Sequence, residues 1–477
     1  MEAWSFPPVY DPNYLPDPAA RYWFPRRETM PPGEREQAIL ARLQEVTRYA
    51  YERAPFYRRK WDEAGFHPSQ LHTLEDFEDR VPVITKADLR AAQERAPMFG
   101  DYLCVSPAEI HHIHGTSGTT GRPTAFGIAR GDWQAIANAH ARIMWGMGIR
   151  PGDTVFIAAI FSLYIGSWGT LAGSERLHCK SFPFGAGAPG MTARAAMWLA
   201  NFKPQAFYGT PSFALHLAEV ARAEGYDPRD FGLKTMFFSG EPGASVPGVR
   251  DKIRAAYDAR VIDCGSMAEV APFMNVAGSA QSDEGMLCWQ DVVYTEVCDP
   301  QSFRRVPYGE RGTPVYTQLE RTSQPMIRLV SGDLTRWVDD RNPCGRTYPR
   351  LPDGIFGRID DMITIRGENV YPSEIDAVLN QLEEYGGEHR IVITRDGTMD
   401  ELLLRVEAVA GVFERGANDV EELRRQTTQC MAKLLGLRAA IDIVPPGTFP
   451  RTDFKARRVI DDREAFRQLN EELAHQP

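Results

Sequence analysis

The run His114-Gly115-Thr116-Ser117-Gly118-Thr119-Thr120-Gly121-Arg122-Pro123-Thr124 concentrates glycines and hydroxyl side chains in one short stretch. Glycine lets a backbone approach a ligand closely with its N–H groups exposed, and Ser and Thr hydroxyls add donors, so the run suits the wrapping of a polyphosphate. It is not a Walker A loop, which needs Gly, four residues, then Gly-Lys and Ser or Thr. Thr120 stands where that second glycine would follow Gly115, and Pro123 where it would follow Gly118. A plain Gly/Thr surface turn is the competing reading of the segment taken alone.

Outward from this loop the chain reads as α/β. Residues 35–53 carry an apolar helical stripe (Ile39, Leu40, Leu43, Val46, Ala50), and Met191–Phe202 and Phe213–Glu224 predict further helices. Short apolar runs lie between them, such as Ala206-Phe207-Tyr208 and Thr235-Met236-Phe237-Phe238. Strands alternating with helices imply mostly parallel sheets that bind ligands at their carboxyl ends. The uncharged stretch Thr154–Gly173 approaches the length of a membrane span. It follows a Pro-Gly-Asp turn and is broken by Gly166 and Gly169, so we read Val155–Ile160 as a buried strand and the remainder as a ligand-lining turn entering a helix.

Beyond Asp360 the texture changes to a small α+β pattern: a helix over Pro372–Glu383, strands near Arg390–Arg395 and Leu402–Val409, a helix from about Val420 to Leu435, and a strand over Ala439–Val444. At 477 residues and 43% hydrophobic, the chain can bury a large core and should form more than one domain. A net charge of -10 argues against a general nucleic-acid binder, and scattered basic residues give no polybasic membrane patch. Seven cysteines without a CxxC pair read as reduced thiols of a cytoplasmic protein, and the start lacks the pattern of a secretory signal. His111, His112 and His114 cluster without the close ligand pairing of a structural zinc site. Adjacent strand residues should also point to opposite faces.

A second run decides the function class: Gly357-Arg358-Ile359-Asp360-Asp361-Met362-Ile363-Thr364-Ile365-Arg366-Gly367-Glu368-Asn369-Val370-Tyr371-Pro372. Together with the first loop, with Ala54–Lys60, Ser174–Leu177 and Gly209–Phe213, and with a lysine, Lys455, in Pro450-Arg451-Thr452-Asp453-Phe454-Lys455, it resembles the adenylate-forming superfamily. Within that superfamily the chain resembles the phenylacetate-CoA ligase family.

The resemblance implies an α/β N-terminal domain over 1–359, binding ATP and an acid, and a mobile α+β lid over 360–477. It implies an aryl acid:CoA ligase that forms an acyl-adenylate, releases pyrophosphate and then makes a thioester, using ATP, Mg²⁺ and coenzyme A. An enzyme with an acceptor other than CoA is the alternative, and a non-catalytic binding protein on the same fold comes third. A homodimer is expected by analogy.

In this resemblance Thr116, Ser117, Gly118, Thr119, Thr120 and Gly121 cradle the phosphates. Lys455 bridges carboxylate and α-phosphate, a task suited to a point charge on a flexible stem. Asp333 binds the ribose hydroxyls, and Arg358 adds a ribose or phosphate contact. Asp360 is the hinge, and Arg366 and Gly367 face CoA in the second pose. Glu269 is the acidic residue holding Mg²⁺. Its surroundings, Asp263-Cys264-Gly265-Ser266-Met267-Ala268, depart from the family's Tyr-Gly-x-Ser/Thr-Glu: Gly265 replaces the adenine-flanking aromatic and Ala268 a hydroxyl. Ser239, Gly240, Glu241 and Pro242 are the expected substitutes at adenine. Phe161, Tyr164, Tyr208 and Phe238 are candidates to line the acid pocket, and an aromatic-lined slot favours a flat aryl acid.

Overall fold

The computed structural model describes residues 5–116, 124–185, 190–241, 243–265, 267–272, 276–340, 342–359, 363–365, 368–396, 399–435, 439–449 and 458–461. The chain divides into two compact units, Met1–Ser245 with Lys252–Ile355, and Val246–Asp251 with Phe356–Pro477.

The first unit is built on an eight-stranded sheet among the described residues. Lys180–Phe182, Thr154–Ile157, Ala206–Gly209, Thr235–Phe238 and Arg260–Gly265 run parallel and side by side. Each of these strands but the last is followed by a helix that returns the chain to the same edge, among them Ile165–Arg176, Met191–Phe202 and Pro211–Ala223, which is what parallel pairing requires. Parallel pairing stops at Arg260–Gly265. The next strands, Val276–Ser279 and Ser282–Cys288, are joined by a tight turn that permits only antiparallel pairing. A second, antiparallel sheet contains Val293–Cys298, Arg311–Gln318 and Asp333–Arg336. The α/β expectation therefore holds, with the five parallel strands of this unit side by side in its main sheet.

An extensive apolar core, including Trp23, Trp61, Trp145, Trp289 and Trp337, fills the first unit. Inside it lies a fully buried ionic network. Arg142 donates to Asp291 at 2.8 and 3.1 Å and to Glu28 at 3.0 Å, Arg27 reaches Asp291 at 3.0 Å, and Arg346 reaches Glu28 at 2.8 Å. Burial alone would raise the Asp291 pKa, but Arg142 and Arg27 outweigh it and hold the carboxyl below its usual range.

The second unit packs the helices Pro372–Leu379 and Ala417–Leu435 on a four-stranded sheet, ordered Ala440–Val444, Met399–Ala408, Tyr385–Asp396, Val459–Asp461. The first helix ends four residues before its predicted end at Glu383. Asn380 turns its side chain back to the Asp376 carbonyl at 2.8 Å, a local bond that competes with helix continuation. Among the described residues no helix is long and apolar enough to cross a membrane, and Thr154–Gly173 resolves into the strand Thr154–Ile157 and part of the helix Ile165–Arg176.

Candidate active site

The glycine- and threonine-rich loop joins the antiparallel strands Ile110–Gly115 and Ala125–Ala129. Its base is closed by threonines: Thr116 N–H donates to the Thr124 carbonyl at 3.1 Å, and Thr124 N–H donates to Thr116 Oγ1 at 3.1 Å. Thr116 thus fastens the loop. A Cβ on Gly115 would stand 3.0 Å from the Thr124 carbonyl oxygen, so a side chain there would strain this closure. Ser117, Gly118, Thr119, Thr120, Gly121 and Arg122 lie outside the described residues.

At the carboxyl ends of two parallel strands three hydroxyls meet. Tyr208 Oη lies 2.7 Å from Ser239 Oγ, Tyr164 Oη lies 3.1 Å from the same oxygen, and the two tyrosine hydroxyls are 3.3 Å apart. Tyr208 is the last residue but one of the strand Ala206–Gly209, Ser239 follows Thr235–Phe238, and Tyr164 precedes the helix Ile165–Arg176. Burial raises the pKa of both tyrosines, so their phenols stay protonated and act as neutral donors and acceptors. Beside them Gly240 adopts φ +90°, where glycine is favoured, with Tyr164 Oη 3.2 Å from the place a Cβ would take. Glu241 accepts from Ser212 N–H at 2.7 Å, pinning the start of the helix Pro211–Ala223. Pro242 lies outside the described residues.

Phe161 and Phe238 do not join this cluster in the same way. Phe161 packs edge-on against Trp168 at 5.3 Å. Phe238 is fully buried on the opposite sheet face from Tyr208, against Phe207. The register pairs Tyr208 with Phe237 and Gly209 with Phe238, so alternation along the strand turns Phe238 away.

Glu269 is 3% exposed, and neither carboxylate oxygen has a hydrogen-bond partner among the described residues. Its nearest cation is Lys86 Nζ at 3.5 Å, presented by the first residue of the helix Lys86–Arg95. A buried carboxylate held in this way has free lone pairs for a hard cation. The spacing in the sequence gives no signal for Lys86. Next to this segment Gly265 shows why an aromatic is missing. A Cβ there would lie 2.8 Å from Ile355 Cδ1 and 3.4 Å from Met286 Sδ, so the place is already filled. Asp263, two residues earlier in the strand, is pushed up to about 7 by burial, although Ser245 and the Cys264 backbone oppose that shift.

Asp333 opens the strand Asp333–Arg336, half-buried, its N–H donating to Ser331 Oγ at 3.0 Å. Arg358 ends the strand Ile355–Arg358, half-buried in the second unit. Asp360, Arg366, Gly367 and Lys455 lie outside the described residues.

The histidines correct one expectation. A bulge between Ile110 and His112 breaks the alternation, and the rings of His111 and His112 come within 4.6 Å instead of facing apart. His112 stacks on Trp133 at 4.0 Å. Burial pushes His114 down to about 4, so it is a neutral ring in an aromatic setting. Among the described residues no three His, Cys, Asp or Glu side chains gather to hold a metal.

Known proteins resemble the chain along its whole length. The profile of the AMP-binding enzyme C-terminal domain matches residues 367–463. The phenylacetate-coenzyme A ligase of Thermus thermophilus is 33% identical over 453 residues, covering 92% of this chain and 99% of that protein. The phenylacetate-coenzyme A ligase of Escherichia coli K12 is 31% identical over 91% of this chain and 97% of its own length. A crystal structure of 2-hydroxyisobutyryl-CoA ligase in the postadenylation state with 2-HIB-AMP is 69% identical, covers 100% of both chains and superposes with a TM-score of 0.94. The same ligase with 2-HIB-AMP and CoA in the thioesterification state is 70% identical over 100% of both chains, at a TM-score of 0.76. The fold and these full-length relatives agree: the chain belongs to the phenylacetate-CoA ligase family of adenylate-forming enzymes, and it is an AMP-forming acid–thiol ligase.

Proposed function

We propose that the acid this ligase activates is a small 2-hydroxy acid of the size of 2-hydroxyisobutyrate. The observation that carries this reading is the Tyr164–Tyr208–Ser239 cluster. Two phenol rings tied by their hydroxyls to one serine stand at the strand ends, and they offer oxygens to a hydroxylated ligand. The ligase that is 69% identical over its full length holds 2-HIB-AMP, which supports the same reading. The aryl expectation rests on the aromatic character of Phe161, Tyr164, Tyr208 and Phe238, and two of these use their hydroxyls on each other while Phe238 faces away.

The roles that follow are proposals of the same kind. A carboxylate oxygen attacks the α-phosphorus of ATP, the bond to the β-phosphate breaks, and pyrophosphate leaves. The sulfur of CoA then attacks the acyl carbon, and AMP leaves as the C–O bond breaks. Both steps crowd negative charge, and preorganised donors and cations are the main means of offsetting it. Lys455 bridges carboxylate and α-phosphate, and Ser117–Gly121 cradle the outer phosphates on a base fastened by Thr116 and Thr124. Asp333 and Arg358 hold the ribose, and Ser239–Pro242 flank adenine. Glu269, whose buried oxygens have no hydrogen-bond donor among the described residues beyond the Lys86 ammonium at 3.5 Å, would hold Mg²⁺, whose charge offsets that of the phosphates. Asp360 serves as hinge between a domain over 1–359 and a lid over 360–477, and Arg366 and Gly367 contact CoA.

Pyrophosphate release with ATP and Mg²⁺ across 2-hydroxyisobutyrate, lactate, phenylacetate and benzoate, with and without CoA, tests the reading. Highest kcat/KM with 2-hydroxyisobutyrate and a CoA thioester in the mass spectrum is the expected outcome. Preference for phenylacetate or benzoate overturns the small-acid assignment.

A further inference from the structure

We propose that Trp168 is a positioning residue that sets the preference for a hydroxylated acid. Its indole N–H clamps the turn before Tyr164 and so fixes the place of the Tyr164 hydroxyl. The inference rests on the assignment of the Tyr164–Tyr208–Ser239 cluster to the acid site.

Residues 160–163 lie in the connection between the strand Thr154–Ile157 and the helix Ile165–Arg176. Ile160, Ser162 and Leu163 are exposed, so burial does little to fix this turn. Side chains from the first turn of the following helix do so instead. Ser167 Oγ donates to the Ile160 carbonyl at 2.6 Å, and Trp168 Nε1–H is shared between the carbonyls of Phe161 at 2.6 Å and Ser162 at 2.9 Å. The next carbonyl, that of Leu163, accepts from Gly115 N–H at 3.4 Å. The indole is itself held edge-on by the rings of Phe161 at 5.3 Å and His114 at 6.5 Å.

Tyr164 comes directly after the clamped turn and is held at both ends. Its backbone continues from the turn, and its hydroxyl lies 3.1 Å from Ser239 Oγ and 3.3 Å from Tyr208 Oη. Its ring folds over Gly166, where a Cβ would stand 2.8 Å from Tyr164 Cζ. A group that reads a substrate hydroxyl discriminates only while its oxygen stays within about 0.5 Å of the place where that hydroxyl arrives. Tyrosine has only two side-chain torsions, so much of the freedom left to its hydroxyl is that of the backbone beneath it. Trp168 supplies the fixing donor and acts through that backbone. Phenylalanine in its place keeps a ring against Phe161 and removes the N–H. Water takes up the freed carbonyls at so exposed a turn, so the fold survives while the turn loosens.

The test compares pyrophosphate release from ATP with 2-hydroxyisobutyrate and with isobutyrate, which lacks only the hydroxyl. The ratio of the two kcat/KM values does not depend on the fraction of active enzyme, so a loss of folded protein leaves it unmoved. Trp168→Phe should lower that ratio by about 10- to 100-fold, the range for a misplacement of up to about 1 Å, and leave KM for ATP unchanged. Ser167→Ala, which frees the Ile160 carbonyl, should lower it in the same direction and serves if the tryptophan variant folds poorly. In a Tyr164→Phe background, Trp168→Phe should lower the ratio by less than about 2-fold, because the hydroxyl it positions is gone. An unchanged ratio in Trp168→Phe, or in Ser167→Ala where the first variant cannot be assayed, overturns the positioning role. So does an undiminished further fall in the Tyr164→Phe background. If Tyr164→Phe alone leaves the ratio unchanged, the acid-site assignment itself has failed and the positioning role falls with it.

Discussion

Replacing Gly166 by alanine tests whether the tyrosine cluster shapes the acid site. A Cβ at this position would lie 2.5 Å from Tyr208 Oη and 2.8 Å from Tyr164 Cζ. Ordinary contacts need about 3.5–4.0 Å, so one of the rings has to shift by roughly 1 Å. Tyr208 is fully buried and its hydroxyl is held by Ser239 at 2.7 Å, so the shift costs that bond or displaces the serine. Overpacking of this kind costs about 1–3 kcal/mol. Alanine recovers about 0.5–1 kcal/mol of helix propensity in a helix interior, and less this close to the start of Ile165–Arg176. If binding the acid requires the cluster in place, the cost appears in kcat/KM as a loss of about 5- to 150-fold. The assay is acid-dependent pyrophosphate release at saturating ATP, with the thermal midpoint measured in parallel. An unchanged kcat/KM for 2-hydroxyisobutyrate, whatever the midpoint does, refutes the claim that these tyrosines bound the acid.

His140 gives a pH dependence with a definite sign. Burial pushes it down to about 4, and among the described residues only Nδ1 has a partner, the Ile136 carbonyl at 2.9 Å. In the unfolded chain its pKa is about 6.5, so between pH 6.5 and 4 the unfolded state binds a proton that the folded state refuses, and stability falls as the pH falls. The loss attributable to this residue reaches on the order of 3 kcal/mol at pH 4. His140→Gln should flatten the decline of the thermal midpoint over that window, and an identical decline removes His140 as its source. Arg142→Met leaves the buried Asp291 and Glu28 each with one arginine, Arg27 and Arg346, beside their neutral donors Tyr348 and the Trp23 and Phe24 N–H groups, and should lower the unfolding free energy by about 3 kcal/mol. An unchanged denaturation midpoint contradicts that. Glu269→Gln should raise the Mg²⁺ concentration for half-maximal pyrophosphate release by about 10- to 100-fold, as when a metal's carboxylate surroundings are disturbed. A Mg²⁺ titration superimposable on the parent's removes Glu269 from the metal site.

What the sequence displayed plainly were features carried by near neighbours. The apolar runs at Thr235–Phe238 and Met191–Phe202 form the strand and helix expected, because local periodicity and burial agree there. The strand at 399–408 and its partner at 385–396 run longer than expected, since a two-stranded ribbon extends as far as its pairing continues, into polar residues with no apolar alternation. The hydroxyl cluster was hidden for a different reason. Tyr164 and Ser239 sit in separate strand-to-helix turns and Tyr208 in a strand between them, and only the parallel order of the strands brings them together. Lys86 meets Glu269 through the same kind of long-range closure. The expectation of opposed His111 and His112 failed on one inserted residue, a bulge that no periodicity announces.

The departure at Gly265 is where sequence and structure explain one another, and it can be tested as a coupling. Read along the chain, glycine in place of an aromatic looks like the loss of a nucleotide contact. In the fold, Ile355 Cδ1 stands 2.8 Å from where a Cβ would be, so the glycine and the isoleucine form a matched pair. Gly265→Ala alone should therefore destabilise the protein by about 1–3 kcal/mol through overpacking. Ile355→Val alone removes the Cδ1 methyl and should cost about 0.5–1.5 kcal/mol. The double variant should cost less than the sum, since the methyl added at 265 enters the space vacated at 355, with a coupling of at least about 0.5 kcal/mol. Chemical denaturation of the four proteins measures it. Additive costs would mean that Ile355 does not occupy the aromatic's place. The absence at 265 would then be a true gap beside the strand end, and the contacts proposed for Ser239–Pro242 would have to hold the adenine without support from that side.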